Sequence, residues 1–164
     1  MAEAILNAKG SPNFTAYSAG SHPSGKVRPE ALRQLEISHI PTINLRSKSW
    51  DEFALPSSPP LDFILTVCDH AAQELCPIWP GHPATAHWGI PDPAAIRGSH
   101  DVVERAFREA FLRLERRISL LLSLPLSTLD RDDLRRELDA INRTLRRSEH
   151  NSPAPAAPTS GDRL

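Results

Sequence analysis

The chain is poorest in the groups that most often identify a site. Only two cysteines, Cys68 and Cys76, occur in 164 residues. That excludes a paired-CxxC zinc knuckle and a multi-disulfide framework. No apolar run approaches the roughly 20 residues of a spanning helix, and no basic n-region followed by an apolar h-region opens the chain. The expected location is therefore cytoplasmic, where two thiols are either inert or transiently redox-active and not a permanent staple. A formal net charge of −1 gives no strong attraction to polyanions or membrane surfaces, so neither nucleic acid nor membrane is an expected partner.

What is present centres on residues 61–93, LDFILTVCDHAAQELCPIWPGHPATAHWGIPDP. Residues 61–67 are almost continuously apolar and rich in β-branched and aromatic side chains, the pattern of a strand covered on both faces. Cys68 and Asp69 follow at once. A second, shorter strand is predicted over 84–88, leading through Gly89, Ile90 and Pro91 to Asp92. In an open parallel sheet, ligands bind beyond the carboxyl ends of the strands. Cys68, Cys76 and Asp92 thus fall on the functional edge.

The flanking elements follow from propensity and periodicity. Residues 1–8 (MAEAILNA) read as helix ended by Lys9 and Gly10, with no capping residue and no strand before it. A short strand is predicted over 14–18 (FTAYS). A helix opens at Pro29 with Glu30 in its first turn, and Ser49 or Asp51 caps a short helix before Pro56. From Ser99 to Leu122, Val103, Ala106, Phe107, Ala110, Phe111, Leu114, Ile118 and Leu121 make one apolar face. After Pro125, Asp130 caps a helix striped by Leu134, Leu138, Ile141 and Leu145. The Pro/Ala/Ser/Thr/Gly mixture from Glu149 onward is expected to be a disordered tail. The expected organisation is a domain over 1–122, a helical extension over 123–148 and a tail over 149–164.

On spacing alone, Cys68 and Cys76 fit a buried strand-end thiol and a loop thiol as readily as a redox pair. A disulfide between them is sterically feasible if residues 69–75 fold back to bring the Cα atoms within about 7 Å. His70 adds only one more ligand, so no metal site is expected. Asp92 between Pro91 and Pro93 is an ordinary Asp-Pro turn or, at the strand edge, a general acid. His87 and Trp88 read as strand-end packing residues.

The segments MAEAIL (1–6), YSAGSHP (17–23), RSKSWDEF (46–53), TVCD (66–69), CPIWPG (76–81) and HWGIPDPAA (87–95) stand together in an order and spacing that resemble the arsenate reductases sharing the fold of low-molecular-weight protein tyrosine phosphatases. The resemblance covers roughly the first 120 residues, and SLPLSTLDRDDLRREL resembles the C-terminal extension of one bacterial branch. It implies a three-layer α/β fold, flavodoxin-like, with a parallel sheet. It also implies an oxyanion substrate such as arsenate or phosphate. No bound cofactor is implied. Electrons would come from a thiol reductant: thioredoxin, glutaredoxin or a low-molecular-weight thiol.

By this resemblance Asp92 matches the general acid, Cys68 the second thiol and Cys76 the third of a thiol relay. Glu3 and Ser18 match polar positions supporting the phosphate loop. The absence of an aromatic after Asp92-Pro93 favours reductase over phosphatase. Members carry a strand and a Cys-x5-Arg loop before the helix that here starts the chain. No Cys-x5-Arg occurs here, since Glu74 and His82 stand six residues after Cys68 and Cys76. The expectation is a chain lacking the first central strand and the nucleophile, marginal in stability and inactive as written. Beside reductase stand a tyrosine phosphatase of the same fold and a non-catalytic remnant that acts through binding.

Overall fold

The computed structural model describes residues 1–67 and 78–151. Its centre is a pair of parallel strands, β1 (Phe63–Thr66) and β2 (Ala84–His87). Phe63 pairs with Ala84, and the register runs on to Thr66 opposite His87. Pairing continues past the strands: Trp88 N–H donates to Thr66 O and Ile90 N–H to Val67 O, both at 2.8 Å. β1 departs from the expectation of a strand covered on both faces. All four of its residues are half-buried, whereas Ala84 and Ala86 of β2 are buried and Thr85 between them is exposed. That alternation gives β2 one core face and one open face.

Helices cover the core face. α1 (Ala2–Gly10) buries Ala4, Ile5 and Leu6; α2 (Pro29–Ile37) opens at Pro29 and buries Ala31 and Leu35. α3 is the short helix Asp51–Ala54, in which Phe53 is buried. α4 (His100–Leu122) follows the predicted face, burying Phe107, Ala110, Phe111, Leu114, Ile118 and Leu121. Ser99 stands at its N-cap position but makes no side-chain cap bond. α5 (Arg131–Asn151) begins where Asp130 Oδ1 accepts the Asp133 N–H at 2.7 Å, a capping bond of the ordinary kind. It continues past Glu149, where the tail was expected, to Asn151; residues 152–164 lie outside the described residues.

α5 shares the core of the sheet. Leu138 and Ile141 are buried within the same apolar cluster as Ile5, Leu35, Ala86, Trp88 and Leu121, and Leu134 and Leu145 pack against it. Trp88 is almost wholly buried, and its indole N–H donates to Leu138 O at 3.1 Å. Each fully buried side chain of this size contributes about 1.5–3 kcal/mol by removal from water, so α5 is anchored by Leu138 together with the bond from Trp88. Together these elements make an α/β fold.

The predicted strand over 14–18 is not a strand. Asn13 and Phe14 N–H both return to Gly10 O, and a Cβ on Gly10 would meet the Phe14 side chain at 2.9 Å. That close approach requires glycine and lays the following chain along α1. There the polar groups of Ala16 bond to the Asn7 side chain and Ser18 N–H bonds to Glu3. Extended backbone is satisfied here by helix side chains, so no strand ladder forms around it.

Candidate functional site

The candidate residues form two groups, one at the N-terminal turn of α1 and one beyond the carboxyl ends of β1 and β2. Glu3 lies in the first turn of α1, and its Oε2 gathers three donors. Ser18 Oγ donates to it at 2.5 Å, Ser18 N–H at 3.2 Å, and Lys48 Nζ at 3.3 Å. The Lys48 side chain is only 4% exposed and that of Glu3 11%. A lysine this buried is retained only with a carboxylate partner, because desolvating an unpaired ammonium is costly. Backbone pairing delivers Lys48 to this place. Gly20 and Ser49 form an isolated parallel bridge, with Gly20 N–H donating to Lys48 O and Trp50 N–H to Gly20 O, both at 3.1 Å.

Asp92 stands two residues beyond the Ile90–Val67 bond. It is exposed, and Oδ1 accepts the Ala94 N–H at 2.9 Å to start a 3-10 turn over Pro93–Ala95. The Arg97 guanidinium closes that turn by donating to Ala94 O at 2.7 Å. Pro91 and Pro93 restrict the backbone on either side, so the carboxyl group is carried on a short fixed loop at the strand edge. At the ends of the strands, Thr66 Oγ1 and His87 Nδ1 lie 2.8 Å apart and join the last pair of the two strands. His87 and Trp88 thus act as the expected strand-end packing residues.

Of the sequence-derived candidates, Glu3 and Ser18 are in direct contact, and Asp92 lies at the predicted edge. Cys68 and Cys76 lie outside the described residues. Lys48 was not singled out in advance. The available signal was an acidic residue in the first turn of an apolar helix together with a lysine inside the RSKSWDEF segment. Sequence alone gives no means of reading the burial that pairs them.

Arg46 and Glu52 form a two-bond fork, with Nη1 to Oε1 at 2.8 Å and Nη2 to Oε2 at 2.5 Å. The bond to Arg46 holds the Glu52 carboxyl below its usual range and raises the Arg46 guanidinium. Two clefts of about 320 and 170 Å³ lie elsewhere, one lined by Glu115, Arg116, Ser119, Leu120 and Leu145, the other by residues of 82–85 and the first turns of α5. Neither includes Glu3, Ser18, Lys48 or Asp92. Among the described residues no three His, Cys, Asp or Glu side chains gather as metal ligands, and no helix is long and apolar enough to cross a membrane.

A parallel β-pair flanked by helices is an α/β fold, the kind in which ligands bind beyond the carboxyl ends of the strands. Comparison with known proteins is specific: the chain belongs to the low molecular weight phosphotyrosine protein phosphatase family, whose model matches residues 1–137. It is similar to proteins named arsenate reductase. One from Oceanobacillus iheyensis is 30% identical over 107 residues, 65% of this chain and 73% of that protein. Another from Bacillus subtilis is 32% identical over 88 residues, 54% of this chain and 60% of that protein. A third from Shouchella clausii is 30% identical over 92 residues, 56% and 62% of the two chains. The match thus spans about three fifths of the length of the Bacillus and Shouchella proteins.

Proposed function

We propose that this chain carries the acid and thiol-relay part of an arsenate reductase, acting on a tetrahedral oxyanion. The observation that supports it best is the bond from Ile90 N–H to Val67 O. It sets the chain that leads to Cys68 beside the chain that leads to Asp92, at one end of the sheet. The similarity to proteins named arsenate reductase supports the same reading.

The roles are as follows. A loop thiolate of the Cys-x5-Arg type attacks arsenate while Asp92 protonates the departing oxygen, which leaves as water. Cys68 then attacks the sulfur of the arseno-cysteine. A disulfide forms, and its two electrons pass to arsenic, releasing arsenite. Cys76 attacks Cys68 in that disulfide, freeing the loop thiol, and the Cys68–Cys76 bond is reduced by an external thiol donor. Glu3, with Ser18 and Lys48, braces the start of α1 against the oxyanion loop.

The 164 residues contain no Cys-x5-Arg sequence, so alone they supply neither the attacking thiolate nor the arginine that cradles the anion. We expect no arsenate reduction and no aryl-phosphate hydrolysis above background from them. Cys68 does not substitute, because Asp69 and Glu74 place negative charge in the stretch that follows it. The family's description favours a second reading, a tyrosine phosphatase using the same acid without the relay. A third reading is a binding protein that acts without catalysis.

The test is a hybrid in which a strand and Cys-x5-Arg loop from a relative precede Met1. Arsenate-dependent oxidation of a thiol donor, with Cys68 and Cys76 found in a disulfide after one turnover, supports the reductase. Aryl-phosphate hydrolysis with both thiols free replaces it by the phosphatase. Inactivity of a folded hybrid toward both substrates leaves the binding reading. Turnover by the unextended chain that is lost in Cys68→Ser would show the nucleophile assignment to be wrong.

A further inference from the structure

The smaller cleft, of about 170 Å³, lies where the chain enters β2, whereas Asp92 follows the other end of that strand. Its polar lining is His82 and Thr85 from the strand side and Arg131, Asp132 and Arg135 from α5. Backbone bonds hold both walls. His82 N–H donates to Trp79 O at 3.3 Å, and Ala84 N–H donates to Asp62 O at 3.1 Å. Across the cleft, Asp130 caps α5, and Arg131 Nη1 reaches over to donate to His82 O at 3.3 Å.

The charges of this cleft are not paired as they are elsewhere on α5. Asp133 and Arg136, three residues apart, form an ion pair. Asp132 and Arg135 have the same spacing, yet neither side chain makes a hydrogen bond or ion pair among the described residues. A guanidinium carries five N–H donors; among those residues Arg131 uses one, on His82 O, and Arg135 none. Such forks match the oxygens of a tetrahedral anion. The cleft volume is several times the roughly 30 Å³ that one water occupies in the liquid, enough for an ion of four oxygens. All five polar side chains belong to exposed residues, so the entrance is open.

We propose that this cleft binds a free tetrahedral oxyanion that still carries a proton, hydrogen phosphate or hydrogen arsenate. Arg131 and Arg135 donate to its unprotonated oxygens, and Thr85 and His82 stand beside them. The ion's own O–H donates to the Asp132 carboxylate. That carboxylate decides the selectivity. An ionised carboxylate only accepts hydrogen bonds, so sulfate, which has no proton at neutral pH, would set lone pairs against lone pairs. A phosphate monoester above its second pKa of about 6 is likewise a proton-free dianion. The site is independent of the thiol-relay reading, since none of its residues takes part in that chemistry.

The experiment titrates the 164-residue chain with inorganic phosphate, sulfate and methyl phosphate at equal ionic strength, because an open cleft is screened by salt. Amide chemical shifts in NMR report both the place and the affinity of binding. Phosphate should shift Thr85, Arg131 and Arg135 saturably. Sulfate and methyl phosphate should bind about tenfold more weakly, the worth of one hydrogen bond to a charged group. Arg135→Ala should weaken phosphate by a similar factor; if it does not fold, Arg135→Gln carries the test. Asp132→Asn, whose carboxamide can donate as well as accept, should bring sulfate level with phosphate. Phosphate shifts that avoid 82–85 and α5, or that chloride reproduces, overturn the site. Sulfate binding as tightly as phosphate in the parent chain overturns the role of the proton. Methyl phosphate binding more tightly than phosphate assigns the cleft to a phosphoryl group on a larger molecule and overturns the free ion.

Discussion

Asn7 of α1 holds Ala16 by both of its backbone polar groups: Nδ2 donates to Ala16 O at 2.9 Å, and Oδ1 accepts from Ala16 N–H at 2.7 Å. A carboxamide presents an N–H donor beside a carbonyl acceptor, as the backbone of a neighbouring strand does. The side chain thus satisfies an extended segment that no strand pairs.

Asn7→Ala removes both bonds at once. At roughly 0.5–1.5 kcal/mol for each bond, the variant should lose about 1–3 kcal/mol. Asn7→Asp keeps the acceptor and should fall between the two. Urea denaturation followed by circular dichroism measures this, and a loss equal to that of an exposed-site control would remove the role given to Asn7.

Lys48→Met removes the ammonium that stands 3.3 Å from the Glu3 carboxylate in a nearly closed site. Breaking one side of a buried pair costs about 3–5 kcal/mol. The double variant Lys48→Met/Glu3→Gln should recover part of that loss, because the uncompensated charge is gone. Thermal denaturation of the two single variants and the double variant measures the coupling, and strict additivity would show that the two side chains do not act as a pair.

Asp92 has a structural bond to Ala94 N–H and a proposed chemical role, and one substitution separates them. Asp92→Asn retains an acceptor for Ala94, so stability should stay within about 1 kcal/mol of the parent, less than a lost cap costs. In the loop-extended hybrid the same variant should lose roughly 10²–10⁴-fold in turnover, the size of general acid catalysis. Full activity of Asp92→Asn in a folded hybrid would assign the proton to another group.

Trp88→Phe keeps a buried aromatic ring and deletes the indole donor to Leu138 O. The cost should be about 1–3 kcal/mol, since a buried carbonyl loses its side-chain partner. Leu138→Ala, at a site with no exposed surface, should cost about 2–5 kcal/mol. If α5 is integral to the domain, both variants lower a single cooperative transition. A separate early transition for α5 in hydrogen exchange would mark it as an appendage.

The Arg46–Glu52 fork carries the pH dependence. The folded-state value of Glu52 is lowered by its bond to Arg46, so its contribution is present above the unfolded carboxylate value. It is lost as pH falls through the lowered folded value. Glu52→Gln should therefore flatten the acid limb of the stability profile, by a small amount because both groups are exposed. An unchanged profile between pH 2 and 5 would show that the fork has no thermodynamic weight, a range set by ordinary carboxylate titration.

Local pattern determined the helices and the two strands. The apolar face of α4 and the stripe of α5 are spaced for a helix, and a side chain at the right period has one face on which to be buried. The runs before Cys68 and Asp92 are too short and apolar to be anything but strand beside their Gly and Pro neighbours. The Asp92 turn was legible for the same reason, because prolines on both sides restrict the backbone without outside help. Where a polar group must find a partner far along the chain, the sequence was silent. Residues 14–18 have strand propensity, yet Asn7 and Glu3 reach their backbone first. Lys48 reads as an ordinary solvated lysine until the Gly20–Ser49 bridge carries it to Glu3, 45 residues away. Periodicity records which face a residue shows to the core, whereas partnership between buried polar groups is decided only when tertiary packing removes the water that would otherwise have served them.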